Sequence, residues 1–131
     1  GNHDERAAYS SLLFDEPGAE TMEAIMHRAA AKDQPVLMTG VNWAEVCYRV
    51  GKRLGPAALA HAGEFVTNTP ITIVAVDREL AEAAATFKAA DRLGLADAFA
   101  AALAKSRKAE LVTADREFES VEKDIRIDWL K

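Results

Sequence analysis

The chain has 131 residues, half of them hydrophobic and 28% charged, and carries a formal net charge of −5. This composition describes one folded domain long enough to bury a core, and excludes a disordered chain, a disulfide framework built on the lone Cys47, and a binder that holds nucleic acid by bulk positive charge. The uncharged stretches, such as Pro35 to Ala44, are too short to cross a bilayer and no basic-then-apolar leader opens the sequence, so the expectation is a cytoplasmic protein with no membrane partner.

Gly1-Asn2-His3-Asp4 has the letters of a metallophosphoesterase metal loop, but no second Asp-His cluster follows. Met22, Ile25, Met26 and Ala29 repeat at three- and four-residue intervals, which predicts a helix over Gly18 to Ala31. Val36-Leu37-Met38 reads as a buried strand closed by Gly40. A second amphipathic helix then runs from Val41 to Leu54 with Trp43, Val46, Cys47 and Val50 on its apolar side. Pro56 suits the first position of the next helix, which continues to about Val66. The β-branched run Ile71 to Val76 is a strand, Asp77 caps a long helix to Arg92, and a further helix follows Gly94 from Ala96 to about Lys105. Glu110-Leu111-Val112-Thr113 and Ile125 to Trp129 are the remaining strands. Strands alternating with helical crossovers predict an α/β domain around a mostly parallel sheet, with ligands at the carboxyl ends of its strands.

Charged side chains are costly among apolar neighbours, so acids in apolar runs are informative. Glu45 is the sole charge between Val36 and Tyr48, Asp97 is the sole charge between Leu93 and Ala104, and Asp115 follows the strand Leu111-Val112-Thr113 directly. Each has an ordinary structural reading: Glu45 pairs with Arg49 one turn on, Asp97 faces a helix amino terminus, and Asp115 caps the turn before Arg116 to Ser120. Taken together they are carboxylates near strand ends. Such a cluster repels itself unless a cation lies within it, and hard oxygen ligands select Mg²⁺ or Mn²⁺. With His residues only at 3, 27 and 61, a zinc site of nitrogen and sulfur ligands is not expected.

The segments "VNWAEV", "GLADAFAAALA" and "LVTADREF", in this order, together with "FDEPGAE" near the start, resemble the PIN domain family and within it the VapC-type ribonuclease toxins. The likeness runs from about Asp4 to Trp129, so that residues 1–131 form one PIN-like domain with 1–3 outside the native fold. It implies a three-layer α/β/α sandwich around a mostly parallel sheet and an acid cluster chelating Mg²⁺ or Mn²⁺. It further implies hydrolysis of an RNA phosphodiester, a homodimer, and a cognate antitoxin that blocks the site. On this resemblance Asp4, Glu45, Asp97 and Asp115 match the family's metal-binding and catalytic acids, with Thr113 and Asn42 in support. Asp4 departs from the pattern: Arg6 stands where a small polar residue is usual, and only Gly1-Asn2-His3 precede it, so the family's first strand is expected to be missing. A damaged first motif is what a non-catalytic PIN-like module binding RNA or protein would carry. A response-regulator receiver shares the alternation of elements but lacks its N-terminal acidic pair and late-strand Lys.

Arg49, Lys52 and Arg53 follow Glu45 along one stripe of its helix. Alone they form a solvated face; under the resemblance they become candidates for RNA phosphate contacts. Lys105, Arg107 and Lys108 complement a helix carboxyl terminus, and Trp43 belongs with apolar neighbours rather than stacking a base. Met22, Ile25, Met26 and the Tyr48 region offer apolar surface for pairing two chains.

Overall fold

A computed structural model describes residues 7–9, 26–28 and 30–130. Within them lie the strands β1 (Ala7–Tyr9), β2 (Val36–Thr39), β3 (Ile71–Val74), β4 (Glu110–Thr113) and β5 (Arg126–Trp129). The helices are α1 (Gly40–Leu54), α2 (Pro56–Thr67), α3 (Arg78–Asp91) and α4 (Leu95–Ser106), and a 3₁₀ helix spans Arg116–Val121. Residues 26–28, 30 and 31 are also helical, in keeping with the first periodic segment.

All strand pairs are parallel and the sheet order is β3-β2-β1-β4-β5. The expectation of a missing first strand is therefore overturned. Ala7 and Ala8 pair with Val36 and Leu37 on one side, while Ala7, Ala8 and Tyr9 pair with Glu110, Leu111 and Val112 on the other. Three residues sufficed because a central strand is held by ladders on both edges and needs no long apolar run to be placed.

Both faces of the sheet are covered, so the strands read as continuous apolar runs rather than alternating ones. Val36 and Met38 point into one core with Val46 and Val50 of α1, Ile71 and Val112. Leu37 and Leu111 point into the other, with Leu80, Ala84 and Phe87 of α3, residues 98–104 of α4, and Phe118, Val121 and Ile125. The result is an α/β/α sandwich. Gly55 joins α1 to α2 at φ 90°, a conformation that strains any residue with a Cβ, and Pro56 then opens α2.

Helix α4 lies against β1, β2 and β4 as well as α3. Seven consecutive residues from Ala98 to Ala104 are buried in it, five of them alanine. A helix buried all round must approach its neighbours closely, and the small side chain permits that. Chain progression moves outward from β1 to β2 and β3, then returns to β4 and β5. The reversal puts a crevice at the carboxyl ends of β1 and β4, where ligands gather in such sheets.

Candidate metal centre

Asp115 reaches that crevice because β4 ends at Thr113 and the chain turns at once into the 3₁₀ helix. The turn is fixed locally. The Asp115 backbone N–H donates to Thr113 Oγ1 at 3.0 Å, and Asp115 Oδ1 accepts from the Glu117 N–H at 2.9 Å. Thr113 is fully buried, so its hydroxyl serves the turn rather than solvent. Outside the turn, the Arg116 guanidinium lies 4.5 Å from the Trp129 ring centroid and Leu130 N–H donates to the Thr113 carbonyl at 2.8 Å. Both contacts tie the turn to the end of β5.

Asp97 arrives from the opposite side, in the first turn of α4, where a carboxylate is also favoured by the helix macrodipole. Its position is set by Asn42. The Asn42 amide is buried; Nδ2 donates to the Ala96 carbonyl at 2.9 Å and Oδ1 accepts from Thr39 Oγ1 at 2.6 Å. Thr39 Oγ1 in turn accepts from the Asn42 backbone N–H at 3.0 Å, capping α1. One buried asparagine thus links the start of α1 to the residue beside Asp97.

Carboxylate oxygens of Asp97, Asp115 and Glu117 come within 4.8 Å of one another. Both structural expectations for Asp97 and Asp115, a first-turn acid and a cap, are met, and the same two side chains also meet each other. Glu117 was not anticipated. Its signal is its place two residues after a capping Asp, which folds it back over the cap, but "DREFE" is rich in exposed acids and hides it.

Glu45 lies outside this trio. Its Oε2 is 3.6 Å from Arg49 Nη2, the helical pair that the spacing offered. Its Oε1 is buried without a hydrogen-bond partner, a costly state for a carboxylate oxygen. Glu45 follows Asn42 by three residues and so shares its side of α1, the side that reaches α4. Asp4 lies outside the described residues, and β1 follows it in the chain rather than ending at it. Met22 and Ile25 also lie outside; Met26 is half-buried and packs against the core of the α1 face.

On the basic stripe, Lys52 Nζ donates to Tyr48 Oη at 3.2 Å and sits 5.5 Å from its ring centroid, and Arg53 is exposed. Trp43 is half-buried against the core, as its neighbours implied. Burial pushes the Cys47 thiol up, which keeps it protonated and a poor nucleophile.

The donor set fits a hard divalent cation. All three clustered groups offer oxygen, and their 4.8 Å spread is close to the roughly 4.2 Å diameter of an octahedral Mg²⁺–oxygen shell.

The chain is a parallel α/β/α domain with three carboxylates gathered at its sheet crevice. The model of the PIN domain family matches residues 7–124, and the chain belongs to that family. Among solved structures it is similar to DNA-bound VapBC from Salmonella typhimurium, with 20% identity over 95% of this chain and 97% of that one and a TM-score of 0.72. VapBC2 from Rickettsia felis bound to a promoter DNA fragment gives 13% identity, coverage of 95% and 98%, and a TM-score of 0.73. VapC20 of Mycobacterium tuberculosis, a toxin that cleaves the sarcin-ricin loop, gives 18% identity, coverage of 88% and 94%, and a TM-score of 0.67. A comparison with curated proteins returned no match.

Proposed function

We propose that this chain is a Mg²⁺- or Mn²⁺-dependent endoribonuclease and the toxin of a toxin–antitoxin pair. The observation that carries the reading is the convergence of Asp97, Asp115 and Glu117 on the crevice of a PIN domain. Their carboxylates would hold the cation, which when bound supplies a Lewis acid for the phosphoryl oxygen and lowers the pKa of a bound water. The remaining work belongs to the chain. The Thr113 hydroxyl fixes the Asp115 backbone, the Asn42 amide fixes the start of α4, and Glu45, with one buried oxygen unsatisfied, is suited to accept a proton from the attacking water. Arg49, Lys52 and Arg53 lie along the same helix as Glu45, where they would meet the phosphates of the flanking RNA. Attack of water on the phosphorus with breakage of its bond to the 3′-oxygen, which takes up a proton, leaves a 3′-hydroxyl and a 5′-phosphate.

The likeness to VapBC assemblies supports an antitoxin as the protein partner. A homodimer in the cytoplasm is part of the same proposal. Cleavage of a mixed RNA pool with Mn²⁺ and with EDTA, with the fragment ends sequenced, tests the activity. Metal-dependent cuts bearing 5′-phosphates are expected, reduced by at least a hundredfold in Asp115→Asn, a scale set by losing a catalytic group. RNA left intact by the wild type with either metal would sink the enzyme reading in favour of a non-cleaving PIN-like module.

A further inference from the structure

Helix α1 presents one exposed aromatic side chain on its charged stripe. Tyr48 is 62% exposed, three residues after Glu45 and four before Lys52, so the three residues share one side of the helix. At 1.5 Å of rise per residue, Tyr48 stands about 4.5 Å along the axis from Glu45, and Lys52 about 6 Å beyond it. We infer that Tyr48 is a stacking platform for an unpaired base next to the scissile phosphate of a single-stranded RNA. The inference rests on the ribonuclease reading above and adds to it a residue that positions the substrate.

Three observations favour this use of the ring. Tyr48 is held before any ligand arrives, because Lys52 Nζ both donates to its hydroxyl and lies over its face, so little rotamer freedom remains to be lost on binding. That same ammonium puts a positive charge beside the platform, where the phosphate of a stacked nucleotide falls. The other aromatic of α1, Trp43, is half-buried against the core and is not free to stack. Stacking requires a base splayed out of its helix, which is how proteins read single-stranded RNA, and it tolerates any sequence because every base has a π-face. The rival use of an exposed tyrosine, an anchor between two copies of the chain, would bury the Lys52 ammonium that sits against the ring.

The test uses the full chain carrying Asp97→Asn, so that the oligonucleotide stays intact, and a single-stranded RNA with 2-aminopurine at one position. Binding is read by anisotropy and stacking by quenching of the 2-aminopurine. Adding Tyr48→Ala should weaken binding by roughly ten- to a hundredfold and abolish the quenching, whereas Tyr48→Phe should keep the quenching. Equal binding and quenching in Tyr48→Ala overturns the inference while leaving the ribonuclease reading intact. If Tyr48→Ala instead converts a sedimenting dimer to monomer with quenching unchanged, the ring belongs to a self-association surface. Absence of RNA binding in the parent chain, together with absence of cleavage by the wild type, removes the ribonuclease reading and this inference with it.

Discussion

Thr113 and Asn42 are buried polar residues, and each is explained by one backbone group it satisfies. A buried polar side chain is tolerated only when its hydrogen bonds are made, and removing one partner leaves the other stranded. Thr113→Val keeps the shape but strands the Asp115 N–H, which should cost about 1–3 kcal/mol in urea denaturation. Metal affinity should fall with it, because Asp115 loses its tether, and Thr113→Ser should restore both. Equal midpoints and equal Mn²⁺ affinity for Thr113→Val and the wild type would show that the hydroxyl is incidental. The family likeness named these two residues as supports of the expected site; their hydrogen bonds to backbone groups appear only in the structure.

Among the elements, α4 carries the heaviest structural demand, since it supplies Asp97 while packing on three strands and α3. Ala101 is fully buried at its centre, in a run whose small side chains set the distance between helix and sheet. Ala101→Leu adds three heavy atoms where there is no room, and overpacking of this kind costs about 1–3 kcal/mol or more. A lower melting temperature is expected, with Mn²⁺ response reduced because the helix start shifts with the helix. A variant that melts like the wild type would mean that α4 has slack against the sheet. The helix itself is plain in the alanine-rich sequence, but its total burial is not, because alanine suits surface and core helices equally.

For the whole molecule, the carboxylate cluster is expected to couple folding to metal. Three acids within 4.8 Å repel one another, so the metal-free fold is destabilised by its own site. A cation bound only by the folded state stabilises it by about 2.7 kcal/mol at a hundredfold excess over Kd. Mn²⁺ should therefore raise the melting temperature by several degrees, on the order of 2–8 °C per kcal/mol for domains of this size range. Asp97→Asn removes repulsion and affinity together, and the charge it takes from the first turn of α4 is worth only about 0.3–1 kcal/mol. The variant should melt at or above the metal-free wild type and respond little to Mn²⁺. A sharp drop in the metal-free melting point with the Mn²⁺ shift preserved would mark Asp97 as a structural cap alone.

The order of elements, the α/β class and two of the clustered acids were written in the sequence, because apolar periodicity, turn residues and isolated charges are local properties of a chain. Three features emerged only with the tertiary structure. The central strand Ala7–Tyr9 has too few residues to show a period and exists as a strand because β2 and β4 pair with its two edges. Glu117 joins the acids because the Asp115 cap folds it back, while surface acids like it abound in the chain. Glu45, isolated in its apolar run, turned out to lie outside the trio, with one oxygen near Arg49 and one buried and unpaired. Sequence spacing determines which side of a helix a residue occupies, but only the packing of α1 against α4 decides how far its carboxylate stands from the others.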